Sequence, residues 1–140
     1  MVGIVIATHG AIGKALLDTA TDMVGQDVIR MVAITIPADV DRATGWNSLV
    51  SAVDAVDGND GVLILVDMFG GTPSTLALSL LAERNVEVLT GVNLAMVLRT
   101  ILHRCDRSLK DIASDVVAYG QRNVTSSSHW LNTTQSKPTK

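Results

Sequence analysis

Short aliphatic runs, separated by stretches of helical period, constrain this chain more than any other feature. Val2–Ala7, Arg30–Ile36, Val62–Met68 and Val86–Leu89 are rich in Val, Ile and Leu, and each ends at polar or turn-forming residues. Continuous apolar runs of this length read as strands buried on both faces. Between them, apolar residues recur at helical spacing. Ile12, Ala15, Leu16, Thr19, Ala20 and Met23 form one stripe, and Ala43, Trp46, Leu49, Val50 and Val53 form another. Further helices are expected over about Ser74–Arg84, over about Ala95–Arg104, and from Ser108 to about Tyr119. Strand followed by helix, four times over, predicts an α/β domain: an open, mainly parallel sheet with helices on both faces.

Local signals mark the element ends. Gly25 suits the C-terminus of the first helix, and Asp39 is the expected cap of the second. Asp57-Gly58-Asn59-Asp60-Gly61 is a strong turn signal. Asn93 is read as a helix cap, and Ser108-Leu109-Lys110-Asp111 as a capping box with Asp in place of Glu. Gly120 is the expected stop of the last helix. From Asn123 the composition turns to Thr, Ser, Asn, Gln and Lys, so residues 1–122 read as one domain and 123–140 as a polar, flexible tail. Whether Trp130-Leu131 docks or stays exposed is left open by the sequence.

Composition narrows the function. Hydrophobic residues make up 47% of the 140 residues and aromatics only 3%, so the core must be aliphatic. A net charge of -3 gives no electrostatic reason to expect nucleic acid or an anionic membrane as partner. The single cysteine, Cys105, excludes an intrachain disulfide, suits a reducing compartment, and reads as a small buried apolar residue. The N-terminus has no basic signal-peptide flank, and no apolar run approaches the ~20 residues of a membrane span. A cytoplasmic protein without membrane insertion is expected.

Ligands of open parallel sheets bind beyond the carboxyl ends of the strands, where the strand order reverses. Two polar residues fall at such ends: His9 after the first strand and Asp67 near the end of the third. If those strands are neighbours, the carboxylate can hold one ring nitrogen and leave the other free as a nucleophile. Taken singly, each has a plain alternative, a turn histidine and a strand-end cap. The loop Gly70-Gly71-Thr72-Pro73-Ser74 adds backbone amides at a helix start, a setting for an anion. His9 and Asp67 are therefore the candidate catalytic pair, with Gly70, Gly71, Thr72, Ser74 and Thr8 as candidate phosphate-binding residues. Thr72 could instead cap the helix it opens, and Thr8 could equally cap the first helix. His103 is read as structural and His129 as solvated. No cluster has metal-ligand spacing, so no metal is expected.

These residues carry a resemblance. "GIVIATHGAIGKALLDTA", "GVLILVDMFGGTPSTLAL" and "VEVLTGVNLAMVL" resemble the mannose-type enzyme IIA domain of the bacterial sugar phosphotransferase system, over about Val2 to Arg122. The resemblance implies that His9 takes a phosphoryl group from phospho-HPr and passes it to an enzyme IIB, expected on a separate chain, for carbohydrate uptake. It implies that Asp67 orients the ring and that the Gly71-Thr72 loop holds the phosphate. It also implies a homodimer, and no cofactor. Pro37-Ala38-Asp39 departs from the Gly after Pro of many relatives, in a loop that flanks the site. The same histidine chemistry could serve regulation without transport, and a non-catalytic anion-binding module is a further alternative. The dihydroxyacetone kinase phosphoryl donor usually reads His-Ser after the first strand, unlike His9-Gly10. A histidine phosphatase would need Arg where Thr8 stands.

Overall fold

The computed structural model describes residues 1–25 and 28–135. The elements run β1 (Gly3–Thr8), α1 (Ile12–Val24), β2 (Met31–Thr35), α2 (Arg42–Val56), β3 (Val62–Val66), α3 (Thr72–Leu80), β4 (Val86–Thr90), α4 (Leu94–His103), α5 (Leu109–Arg122) and α6 (Ser127–Gln135). The strands form one sheet in the order β2-β1-β3-β4, and every neighbouring pair is parallel. This is the expected α/β architecture. The order reverses between β1 and β3, which pair with Ala7 opposite Val66.

Alternation along the strands divides the core into two layers. Val5, Ala7, Val62, Ile64 and Val66 pack with Leu49 and Val53 of α2 and Leu76 and Leu80 of α3. Ile4, Ile6, Leu63 and Leu65 face the other way, onto Ala20 of α1, Val97 of α4, and Ile112 and Val116 of α5. The two central strands are buried at every position, as their unbroken apolar runs require. Each fully buried Ile or Leu contributes about 1.5–3 kcal/mol. At the amino ends of the strands, the nearly buried Arg104 donates to the carbonyls of Val2 (3.0 Å), Arg30 (3.1 Å) and Ile29. That end is closed by a satisfied cation, while the carboxyl end is left for the polar residues.

Several end signals act as expected. Gly25 takes the left-handed conformation (φ 71°) after α1, Asn93 accepts the Met96 N–H at 3.0 Å, and Ser108 Oγ accepts the Asp111 N–H at 3.2 Å. Others are corrected. The cap of α2 is Asp41, not Asp39: Val40 N–H closes a turn onto the Pro37 carbonyl, so the helix starts later and Asp41 Oδ1 accepts the Thr44 N–H at 2.9 Å. Helix α3 ends at Leu80, short of Arg84. Gly120 does not stop α5, which continues to Arg122; it is buried where a Cβ would stand 2.5 Å from Met96 Cγ, so its smallness serves the approach of α5 to α4. Cys105 is exposed rather than core, in the turn after α4, with its Sγ 3.6 Å from Met1 Sδ. Within the polar tail, α6 is helical, and Trp130 and Leu131 on it are exposed. Residues 136–140 of that tail lie outside the described residues.

Gly3 has no room for a side chain, because a Cβ there would lie 2.8 Å from the Val56 carbonyl carbon. Backbone cannot yield as a flexible side chain does. Gly3→Ala is expected to destabilise the fold by about 1–3 kcal/mol, measured as the shift of a urea unfolding transition.

Candidate active site

Strand β1 ends at Thr8 and β3 at Val66, side by side, so the next residue of each chain segment, His9 and Asp67, emerges at the same edge. Asp67 Oδ2 lies 2.8 Å from His9 Nδ1 and 3.0 Å from the His9 backbone nitrogen. One carboxylate oxygen therefore accepts from both the ring and the main chain of the same residue. The other, Oδ1, accepts the Met68 N–H at 3.0 Å. With Nδ1 as the donor to Asp67, the ring is held in the tautomer whose Nε2 carries the free lone pair. The pair is partly shielded: the side chains keep 30% (His9) and 13% (Asp67) of their exposure.

Burial works to raise the Asp67 pKa. The hydrogen bonds from the His9 ring and backbone outweigh it, aided by the attraction of the ring charge and by the Met68 N–H, and hold the carboxyl below its ordinary value. Asp67 thus stays ionised beside the ring.

The far edge of the ring faces the glycine loop. A Cβ on Gly71 would stand 2.7 Å from His9 Cε1 and 3.2 Å from Nε2. Only glycine lets the backbone come this close to Nε2. Gly70 takes φ 85°, a left-handed conformation, and Gly71 is the N-cap of α3. Nε2 therefore stands over the start of a helix, where the first N–H groups have no intrahelical partner and the helix dipole favours an anion.

The other sequence-derived candidates separate. Thr8 is fully buried, and its Oγ1 accepts the Gly13 N–H at 2.8 Å, the capping alternative. Thr72 does not cap its helix; as the first residue of α3, it donates from Oγ1 to the Ala38 carbonyl at 3.3 Å. Ser74 is fully buried in the first turn of α3, and its Oγ has no hydrogen-bond partner among the described residues. His103 accepts from Arg99 Nη1 at 2.9 Å, beside the bidentate Arg99–Asp115 pair that ties α4 to α5. His129 is exposed on α6. Among the described residues, no three His, Cys, Asp or Glu side chains are grouped to hold a metal. No described helix is long and apolar enough to cross a membrane.

One residue escaped the sequence reading. Thr35, the last residue of β2, donates from Oγ1 to the Gly10 carbonyl at 2.6 Å. The adjacent Ile36 N–H donates to the Thr8 carbonyl at 2.9 Å. A threonine at a strand end carries no pattern to distinguish it; only the pairing of Thr8 with Thr35 across β1 and β2 places it against the histidine loop.

Two outcomes are expected. Gly71→Ala displaces the His9 ring, seen as loss of the Nδ1–Asp67 hydrogen bond in imidazole nitrogen spectra while the far-ultraviolet circular dichroism is kept. The second concerns pH. The folded-state pKa of Asp67 is lowered, so in the window between it and the unfolded value of about 3.9 the unfolded chain binds the extra proton. This stabilisation is complete above the unfolded value and is lost as pH falls through the folded one. Urea unfolding over that acid window should show a smaller pH dependence for Asp67→Asn than for the wild type.

Residues 3–117 match the family model EIIA-man, described as the PTS system fructose IIA component, where PTS is the sugar phosphotransferase system. The chain is 28% identical over 124 residues to the fructose-specific EIIA component of Bacillus subtilis, covering 88% of this chain and 84% of that protein. It is 30% identical over 125 residues to the mannose-specific EIIAB component of Escherichia coli, covering 88% of this chain but only 38% of that longer protein. Among solved structures, the fold is similar to phosphotransferase system EIIA from Streptococcus agalactiae (TM-score 0.81, 24% identity, 92% of this chain and 99% of that one). It is also similar to the mannose/sorbose-specific IIA subunit from Enterococcus faecalis (TM-score 0.77, 21% identity, 89% and 93%). With the family model spanning most of its length, the chain belongs to the mannose/fructose enzyme IIA family of the sugar phosphotransferase system.

Proposed function

We propose that His9 is a phosphoryl carrier, loaded by phospho-HPr and discharged to an enzyme IIB in support of carbohydrate uptake. The observation that carries this reading is the double hold of Asp67 Oδ2 on His9, which turns Nε2 toward the glycine-led start of α3. Family membership supports the same chemistry.

In the loading step, the Nε2 lone pair attacks the phosphorus of the donor phosphohistidine. The new N–P bond forms as the donor N–P bond breaks, and the departing ring nitrogen keeps its electron pair. His9 becomes positively charged as it is phosphorylated at Nε2, and Asp67, already ionised, balances that charge without moving. The amides of Gly70, Gly71, Thr72 and Ser74 receive the phosphoryl oxygens; Pro73 has no N–H to offer. Thr8 supports the site through its bond to Gly13, by holding the start of α1 beneath the loop. Discharge runs the same steps toward the acceptor. Such transfer asks mainly for positioning and charge balance, so His9 and Asp67 are the catalytic residues and no cofactor is part of the scheme.

Macromolecular donors and acceptors need a surface. Met68 and Phe69, between Asp67 and the glycines, are 56% and 74% exposed, and Ile12 beyond the histidine loop is 50% exposed. Large apolar side chains left in water around a reactive nitrogen fit a site that protein partners cover in turn. A homodimer belongs to this reading through the family resemblance, and β4 lies at the sheet edge.

The test is incubation with phosphoenolpyruvate, enzyme I and HPr, followed by intact mass and peptide mapping. One acid-labile phosphoryl group is expected, on His9 Nε2. His9→Ala should take up none while keeping its fold. Asp67→Asn removes the charge from hydrogen bonds worth about 1.5–3 kcal/mol when charged, and should slow loading roughly ten- to hundredfold. An adduct that persists in His9→Ala would refute the assignment.

A further inference from the structure

We infer that Thr35 is a positioning residue for His9. The inference rests on the phosphocarrier reading for its kinetic consequence, but its geometry stands apart from that reading. Between β1 and α1 the chain turns through His9, Gly10 and Ala11. Gly10 sits at φ 52°, and a Cβ there would meet nothing within 4 Å. Packing therefore does not hold this glycine, and glycine is the residue with the most backbone freedom to lose. Something must fix the turn that follows the histidine.

The amino side of the turn is held by Thr8, whose carbonyl accepts Ile36 N–H at 2.9 Å and whose hydroxyl accepts Gly13 N–H at 2.8 Å. Past His9, the Gly10 carbonyl accepts the Thr35 hydroxyl at 2.6 Å. Thr35 thus sets the direction of the Gly10 carbonyl, and with it the backbone on which the His9 ring turns. The ring then meets Asp67 on one edge and Gly71 on the other, where a few tenths of an ångström decide the approach. The Thr35 hydroxyl is bonded to the Gly10 carbonyl, so it acts through Gly10. The next residues of the same segment reach the other half of the site, since the Ala38 carbonyl accepts the Thr72 hydroxyl. The end of β2 and the loop after it tie the histidine turn to the phosphate loop.

Thr35→Val keeps shape and strand preference but cannot donate, and Thr35→Ser restores the donor without the methyl group. In imidazole nitrogen spectra, the wild type and Thr35→Ser are expected to show His9 in the single Nδ1–H tautomer, and Thr35→Val a mixture. In phosphoryl loading from phospho-HPr, Thr35→Val should be slower by about three- to tenfold, the worth of one neutral hydrogen bond, and Thr35→Ser within twofold of wild type. A Thr35→Val protein with the wild-type tautomer would overturn the inference, as would a Thr35→Ser protein as impaired as Thr35→Val. If the wild type takes no phosphoryl group, the phosphocarrier reading fails, and the tautomer measurement still decides the role of Thr35.

Discussion

Asp67 Oδ2 accepts hydrogen bonds from two nitrogens of one residue, the ring Nδ1 and the main-chain N–H of His9. The rest of the site depends on this double contact. A single bond to the ring would leave the imidazole free to swing about its backbone; a bond to the backbone alone would leave the tautomer undecided. Together they fix where the ring is and which nitrogen it offers. The fold makes the contact available because β1 and β3 are adjacent and in register, with Ala7 beside Val66. The residues that follow those two positions leave the sheet at one point. The aliphatic layers on either face keep that register from slipping, since a one-residue shift would exchange Val5 and Ala7 for Ile4 and Ile6 against the wrong helices.

The two ends of the sheet divide the polar work. At the amino end, Arg104 is spent on three carbonyls and is silent chemically. At the carboxyl end, the hydroxyls of Thr8, Thr35 and Thr72 are each spent on main-chain groups, at Gly13 of α1, at Gly10 and at Ala38. The His9 ring is thus flanked by side chains that hold backbone, and its Nε2 lies beside Gly71 at the start of α3. Amides set in a helix start are fixed in place, which under the phosphocarrier proposal suits electrostatic stabilisation of an incoming phosphoryl group.

Much of this was legible in the sequence where a strong physical requirement writes itself into residue type. Strands buried on both faces must be continuous aliphatic runs, so β1 and β3 were plain, and polar residues closing such runs stand out, as His9 and Asp67 do. Gly70-Gly71 was read as a place where backbone can come close to a ligand; it is Gly71 that comes close, and to the His9 ring. Other features had weaker signatures. Asp39 and Asp41 are equal candidates for a cap until the turn at Pro37–Val40 is formed. Gly120 reads as a helix stop unless the approach of Met96 is known. Cys105 follows its residue type only if it lies in an element, and it lies in a turn. Helix α6 has no apolar stripe of its own, with Trp130 and Leu131 adjacent and exposed. Thr35 was invisible because its role belongs to a partner strand.

The partners of the central contact are 58 residues apart in the chain. A ribosome releases His9 long before Asp67, and no local folding of β1 and α1 can orient the ring. The pairing of β1 with β3 spans α1, β2 and α2, so the entropy of closing that loop is overcome only as the parallel sheet condenses. The carboxylate-held histidine therefore comes into being together with the native topology. An unfinished or misassembled chain holds an imidazole without its carboxylate partner, and under the phosphocarrier proposal such a chain would be a poor acceptor of phosphoryl groups.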